Sequence, residues 1–167
     1  MELTSAQAAK KLRKLNEQLK YLLDLEQASA DFVASVDENL EDARPEYDYE
    51  ATQKKIAETE TKIRALKHAV NVFNATHKIP GFDMTVDEML VYIPQLTKRK
   101  EKLTRMSARL PKERMDGRYG ANVVEYRYAN YDTGKALQDA EAVMEELFAA
   151  QNALDHFNST ETFEFEF

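Results

Sequence analysis

Leucines near the start of the chain recur at alternating spacings of three and four residues, and this pattern limits most strongly what the chain can fold into. They are Leu12, Leu15, Leu19 and Leu22. Such spacing places one apolar stripe along a helix, as at the a and d positions of a heptad. Thr4 and Gln7 have the residue types and spacing of a capping box, so we expect the helix to begin there.

Two further helices are predicted in the middle of the chain. The first begins near Pro45, a residue that suits the first helical position, and runs from about 46 to 77. A Pro-Gly pair then breaks the chain. The next helix begins at a second capping box, formed by Thr85 and Glu88. It contains Pro94, where we expect a kink or a restart because proline removes a backbone donor.

Residues 111–132 interrupt the helical pattern. They contain two glycines and a run of valines and tyrosines, which predicts a β-hairpin inserted between helices. A fourth helix follows, capped by Asp132 or Thr133. The tail, residues 163–167, alternates Phe and Glu, so in a strand one face would be all Phe. We expect this tail to dock on the hairpin or on another subunit, with a loose tail as the alternative. Residues 32–40 either extend the first helix or form a short extended piece.

The composition agrees with a helical architecture. The chain has 167 residues, of which only four are Gly and four are Pro, while 32% are charged. We therefore predict a mainly α fold. Its expected architecture is an antiparallel bundle of about four long helices, with an inserted β-hairpin and a possible C-terminal strand. A single helical domain over residues 1–167 is expected from the length.

Enzyme and metal motifs are missing from the sequence. There is no Cys, which excludes thiol catalysis and Cys-ligated metals. The phosphate-binding loop, the dinucleotide fingerprint and the nucleophile elbow are absent. None of the three His residues follows a Glu at the Glu-x-x-His spacing of di-iron bundles. We therefore predict a protein that is not an enzyme, with no catalytic residue, metal ligand or cofactor.

Charge and hydropathy limit the expected partners and compartment. The net charge of −7 argues against general nucleic-acid binding, which depends on neutralising phosphates. No stretch approaches the roughly 20 apolar residues of a membrane span. The N-terminal residues are polar and charged rather than signal-like, so we expect no membrane partner and a cytoplasmic location.

The positive signal is a basic and aromatic stretch. Residues 98–118 hold nine basic and three acidic residues, and Lys112 lies at the start of the predicted hairpin. Arginine offers a planar fork for phosphate or carboxylate, and tyrosine offers a ring on which a base stacks. The predicted ligand-binding residues are Asn74, Arg99, Arg105, Arg109, Arg114, Arg118, Tyr119, Tyr126, Arg127 and Tyr128. Alternatively, the arginines pair with the acidic segments 31–50 and 135–167, and the tyrosines fill a hairpin core.

Residues 63–157 also resemble a known family. Residues 70–76 (VNVFNAT), Gly81, residues 84–90 and the Lys98-Arg99 pair are similar to the septicolysin-like family of small bacterial helical proteins. The resemblance implies an Asn-x-x-Asn at Asn71 and Asn74, an Arg at Arg99, a basic hairpin over residues 118–128 and a terminal Asn at Asn158. The chain departs from the family where Ser159 replaces an expected Trp. The resemblance implies an oligomeric helical fold with an inserted hairpin, and it implies no activity.

Three functional hypotheses follow from these observations. The first is a homo-oligomeric, non-enzymatic protein that sequesters or senses a small anionic, nucleotide-like ligand through the Arg/Tyr cluster. The alternative is a structural or adaptor protein that assembles through its heptad seams and its C-terminal strand. The third is an enzyme acting on a phosphorylated substrate, for which the sequence positions neither a nucleophile nor a metal.

Overall fold

The structure is a computed structural model, and it describes residues 1–115 and 124–166. The elements in chain order are β1 (Glu2–Thr4), α1 (Ser5–Ser29), α2 (Leu40–Ala43), α3 (Tyr49–Thr76), α4 (Val86–Ser107), β2 (Lys112–Met115), β3 (Glu125–Tyr128), α5 (Thr133–Thr160) and β4 (Thr162–Glu164). The fold is mainly α, with short antiparallel strand pairs, which confirms the predicted fold class.

The chain divides into two compact units. The first comprises Met1–Thr76 together with Asn158–Phe167, and the second comprises His77–Phe157. Each unit is described separately below, and a single domain over residues 1–167 stays a prediction.

The first unit is built on α1 and α3. The Thr4 hydroxyl accepts a hydrogen bond from the Gln7 amide at 3.2 Å, and the Gln7 side chain accepts one from the Thr4 amide at 3.0 Å. The predicted capping box therefore starts α1 by satisfying amides that have no partner inside the helix.

The apolar seams of α1 and α3 meet in one core. Its buried members are Ala8, Leu15, Ile63, Leu66 and Phe165. At the other end of α1, the Glu26 carboxylate accepts hydrogen bonds from Tyr47 and Gln53. The two helices are therefore antiparallel, because the end of α1 contacts the start of α3.

The C-terminal tail completes this core. Strand β4 pairs antiparallel with β1, and Leu3 lies opposite Phe163. Phe165 is only 6% exposed, and the Phe163 ring lies 5.0 Å from that of Phe73. The predicted division into a Phe face and a Glu face is therefore confirmed. Glu164 and Glu166 are exposed, while the Phe side chains pack against the core. The partner strand is β1, however, rather than the hairpin or another subunit.

The start of α3 differs from the prediction. Pro45 lies outside the helix, and the Asp48 carboxylate accepts a hydrogen bond from the Ala51 amide at 2.9 Å. Asp48 supplies the side-chain acceptor that the first helical amides need, so the helix begins after it. Before α3, helix α1 ends at Ser29, and residues 30–39 form neither helix nor strand.

The second unit begins with a tight turn that leads into α4. The Ile79 carbonyl accepts a hydrogen bond from the Phe82 amide at 3.1 Å, and Gly81 between them has a φ of +84°. This backbone suits glycine at the third position of a turn that has proline at the second position. The predicted capping box of Thr85 and Glu88 then starts α4.

Helix α4 continues through Pro94 without a restart. Proline removes the hydrogen bond that the Leu90 carbonyl would otherwise accept. Leu90 is 48% exposed, so water can supply the missing donor. Of the expected kink or restart, the restart is therefore wrong, because one helix runs over Val86–Ser107. Helix α5 starts at the Asp132 carboxylate, which accepts hydrogen bonds from the Gly134 and Lys135 amides at 2.8 and 3.1 Å.

Both long helices of the second unit bury one side. The buried residues of α4 are Val86, Met89 and Leu96, and those of α5 are Ala136, Ala140, Val143, Leu147, Ala150, Leu154 and Phe157. A hydrogen bond from the Tyr92 hydroxyl to the Glu146 carboxylate joins the two helices.

Replacing Phe165 with Ala should destabilise the protein by about 3 kcal/mol, since it removes a buried ring that α1 and α3 share. Urea unfolding monitored by circular dichroism measures this loss. The matched control is Glu166→Ala at the next residue, whose side chain is exposed. Equal midpoints for the two variants would show that the tail does not contribute to the core.

Candidate ligand-binding site

Strands β2 and β3 form a two-stranded ribbon in the second unit, and it carries four of the ten predicted ligand-binding residues. In its register, Lys112 lies opposite Tyr128 and Arg114 lies opposite Tyr126. Directly opposed residues of an antiparallel pair point to the same side, and successive residues alternate. One side of the ribbon therefore carries two cations and two tyrosines. We call Lys112, Arg114, Tyr126 and Tyr128 the basic face.

The opposite side of the ribbon carries Glu113, Met115, Glu125 and Arg127. Both acidic residues of the two strands thus lie away from the basic face. Arg127, although a predicted ligand-binding residue, lies opposite Glu113 on this second side. The register therefore separates Arg127 from the other three predicted residues of the ribbon.

The tyrosines of the basic face are exposed and close together. Tyr126 is 44% exposed and Tyr128 is 63% exposed, so they do not fill a hairpin core. Their ring centroids are 6.4 Å apart. The Lys112 ammonium lies 4.2 Å from the centre of the Tyr126 ring and 5.6 Å from that of Tyr128. This cation–π contact places a positive charge beside two rings on which a planar group can stack.

The base of the ribbon is fastened to the end of α4. The Tyr131 hydroxyl donates a hydrogen bond to the Met106 carbonyl at 3.0 Å, and the Ala129 amide donates one to the Pro111 carbonyl at 3.1 Å. Arg105 and Arg109 lie on either side of Met106 in the chain, and both are exposed. The ribbon and the end of α4 thus present their cations from one connected part of the second unit.

Arg99 has a different environment from the other arginines. It lies almost two full turns after Tyr92, on the same face of the helix, and its charge acts on the Tyr92 hydroxyl. The hydrogen bond to Glu146, followed by burial and the Glu146 charge, raises the pKa of Tyr92 above its usual value, while Arg99 lowers it. Arg99 therefore lies on the side of α4 that faces Glu146, away from Arg105.

Three predicted residues do not belong to the described parts of α4 and the ribbon. Asn74 belongs to the first unit, and its Oδ1 is buried with no hydrogen-bond donor within residues 1–115 and 124–166. Arg118 and Tyr119 lie outside the described residues. Their roles stay predictions.

The structure also bears on the alternative that internal ion pairs occupy the arginines. Within the described parts of the chain, no ion pair includes a basic residue between positions 98 and 127. Within the second unit, the described acidic residues of segment 135–157 therefore form no direct ion pair with these side chains. The charges of the basic face remain available to a ligand.

Lys112 belongs to the basic face, although it is not among the predicted ligand-binding residues. The sequence places it in the basic segment, but only its pairing with Tyr128 shows that it shares a face with both tyrosines. The alternation of Tyr126 and Tyr128 shows which side of β3 they occupy, but it does not give the register with β2.

Two other kinds of site are absent from the described residues. That part of the chain contains no group of three His, Asp or Glu residues that could hold a metal ion. None of its helices combines the length and the apolar character that crossing a bilayer requires.

Comparison with known proteins adds evidence on the fold. No protein-family model matches the chain, and no curated protein matches it. The chain is similar to the crystal structure of a functionally unknown conserved protein from Corynebacterium diphtheriae, with a TM-score of 0.61 and 16% sequence identity. The similarity covers 98% of this chain and 100% of the other. At this identity the likeness shows a shared fold alone, and the resemblance to the septicolysin-like family stays a prediction.

Replacing Glu146 with Gln should lower the pKa of Tyr92 toward its ordinary value, because the hydrogen bond to a carboxylate is the largest cause of its rise. Titration of the Tyr92 ring carbon by NMR, with Tyr92→Phe for assignment, measures the shift. Since the folded pKa is raised, the stabilising contact is complete below about pH 10 and is lost as the pH rises through the folded pKa.

The matched control for this titration is Glu145→Gln, which removes the same charge one residue away. It should leave the pKa of Tyr92 high. The same pKa for Tyr92 in both variants would contradict a specific role for Glu146.

Proposed function

We propose that this protein is a non-enzymatic, homo-oligomeric binding protein that sequesters or senses a small anionic, nucleotide-like ligand. The observation that carries the proposal is the basic face of the ribbon. Two cations and two exposed tyrosines lie on one side of β2 and β3, and both acidic residues of these strands lie on the other. The proposed setting is the cytoplasm, where such ligands are abundant.

The two residue types of the basic face recognise different parts of a nucleotide. Lys112 and Arg114 offer charge-assisted hydrogen bonds to phosphate oxygens, which are about twice as strong as neutral ones. Tyr126 and Tyr128 offer ring faces for a base, at about 1–3 kcal/mol for each stacked base. Sugar phosphates would use the cations alone, and uncharged nucleosides would use the rings alone.

Non-enzymatic binding is the simplest reading of the chemistry around the ribbon. Glu113 and Glu125 are the carboxylates nearest in its register, and they lie on the side away from the basic face. A general base must come within hydrogen-bond reach of the proton that it removes. The basic face presents only groups that bind and stack.

The alternative of a structural or adaptor protein has one supporting observation. Leu137, Met144 and Phe148 recur at helical spacing on α5 and are each at least half exposed. The C-terminal strand supports it less well, because β4 already pairs with β1 of its own chain. Assembly through helix faces would also satisfy the oligomeric part of the main proposal.

Native mass spectrometry of gently purified protein tests both functions together. A closed oligomer that carries a few hundred daltons of additional mass supports the binder and yields its ligand. An oligomer without additional mass, which also fails to bind added nucleotides, supports the structural alternative instead.

Replacing Arg114 with Ala should weaken binding of a fluorescent adenosine diphosphate at least about tenfold, since a charge-assisted hydrogen bond contributes about 1.5–3 kcal/mol, and the double variant that also replaces Lys112 should lose this binding. Fluorescence anisotropy measures the affinity. Arg127→Ala is the matched control, because it removes a cation from the other side of the same ribbon.

The two single variants differ in the face that they change, and circular dichroism checks that both keep the helical fold. Arg127→Ala should alter the affinity about threefold or less. Equal losses in the two variants would show that net charge, rather than the basic face, determines binding.

A further inference from the structure

Helix α4 carries more exposed cations than the phosphates of a single nucleotide require. Lys98, Lys102, Arg105 and Arg109 follow one another at spacings of four, three and four residues. Positions at these spacings share one face of a helix. All four side chains are exposed. We call these four residues the α4 stripe.

Local hydrogen bonds keep Arg109, which follows the end of α4, near the face that carries the other three residues of the stripe. Helix α4 ends at Ser107, and the Arg109 amide donates a hydrogen bond to the Met106 carbonyl at 3.3 Å. The chain therefore completes one more tightened turn before it enters β2. The same Met106 carbonyl accepts the hydrogen bond of Tyr131, so the end of the stripe lies at the base of the ribbon.

The α4 stripe faces solvent rather than the core. Leu96, which is 2% exposed, precedes Lys98 by two residues and so lies about 200° away around the helix. Glu101 lies beside the stripe but forms no ion pair with it within the described residues. Four cations are thus presented along one line.

The length of this line distinguishes between ligands. From Lys98 to Arg109 the stripe extends about 16 Å along the helix. A mononucleotide carries its phosphates at one point, so it engages one end of such a line. An oligonucleotide carries one phosphate for each nucleotide along its length, and it leaves its bases free to stack when it is single-stranded.

We propose that the ligand of this site is a short single-stranded oligonucleotide, whose phosphates follow the α4 stripe and whose bases stack on Tyr126 and Tyr128. This inference rests on the proposed function and names its ligand class. A groove or line of cations combined with exposed aromatic rings is the general means by which proteins bind single strands. A duplex is disfavoured, because its bases are paired and stacked away from the tyrosines.

Fluorescence anisotropy of the full chain with labelled probes tests the inference. The probes are oligouridine and oligothymidine of about eight nucleotides, a duplex of equal length and a labelled adenosine diphosphate. We expect either single strand to bind at least about tenfold more tightly than the diphosphate and the duplex. A preference between the two single strands identifies whether the ligand is RNA or DNA.

The salt dependence of binding distinguishes the contribution of the α4 stripe from that of the ribbon. Replacing Lys98, Lys102 and Arg105 with Ala should reduce the slope of log affinity against log salt by about 2, since each phosphate contact on a single strand contributes about 0.7. The matched control replaces three exposed lysines of α3, which are Lys54, Lys62 and Lys67. It changes the net charge equally and should leave the slope as it is.

Two results would overturn the inference while the proposed function stands. One is a single strand that binds no more tightly than adenosine diphosphate, with diphosphate binding still lost in the Lys112/Arg114 double variant. The other is an equal slope in the stripe variant and its control. Absence of binding by every probe would overturn both proposals.

Discussion

The pairing of the two ends of the chain is the contact on which the first unit depends. Two antiparallel helices that face each other leave much of each apolar seam exposed, and α1 and α3 are in this position. Strand β4 places Phe163 and Phe165 beside that seam by pairing with β1. Two strands of three residues are too short to be stable alone, so the strand pair and the helix core stabilise each other.

The ribbon of the second unit is held in place by a different kind of contact. Its strands are exposed on both sides, so no core determines which residues they carry. Anchoring at its base, through Tyr131 and Met106, holds it instead. Exposed tyrosines on such a ribbon contribute little to folding, and this supports the proposal that they bind a ligand.

Local signals in the sequence predicted most of the helices. The features that were not predicted depend on contacts between residues that are distant in the chain. The capping boxes at Thr4 and Thr85 act over three residues and were confirmed. The partner of the tail was not predictable in this way, because Leu3 and Phe163 lie at opposite ends of the chain. The start of α3 was predicted near Pro45, but the helix begins after Asp48, whose carboxylate accepts a hydrogen bond from the Ala51 amide.

The candidate site shows the same division between local and distant information. The basic and aromatic composition of residues 98–128 was visible in the sequence. Which of these residues act together depends on helical angle and strand register. Arg99 lies on the side of α4 near Tyr92, and Arg127 lies behind the ribbon, although both stand within a few residues of the basic face or the α4 stripe.

The net charge of −7 constrains how such a site works. At physiological ionic strength, charges act over about 8 Å, which is half the length of the α4 stripe. The protein as a whole therefore repels polyanions only weakly beyond contact, and it does not steer them toward the site. Under the proposed function, binding therefore depends on direct contacts with the stripe and the tyrosines. Such contacts would favour ligands that place both phosphates and unpaired bases within reach over long duplexes that offer charge alone.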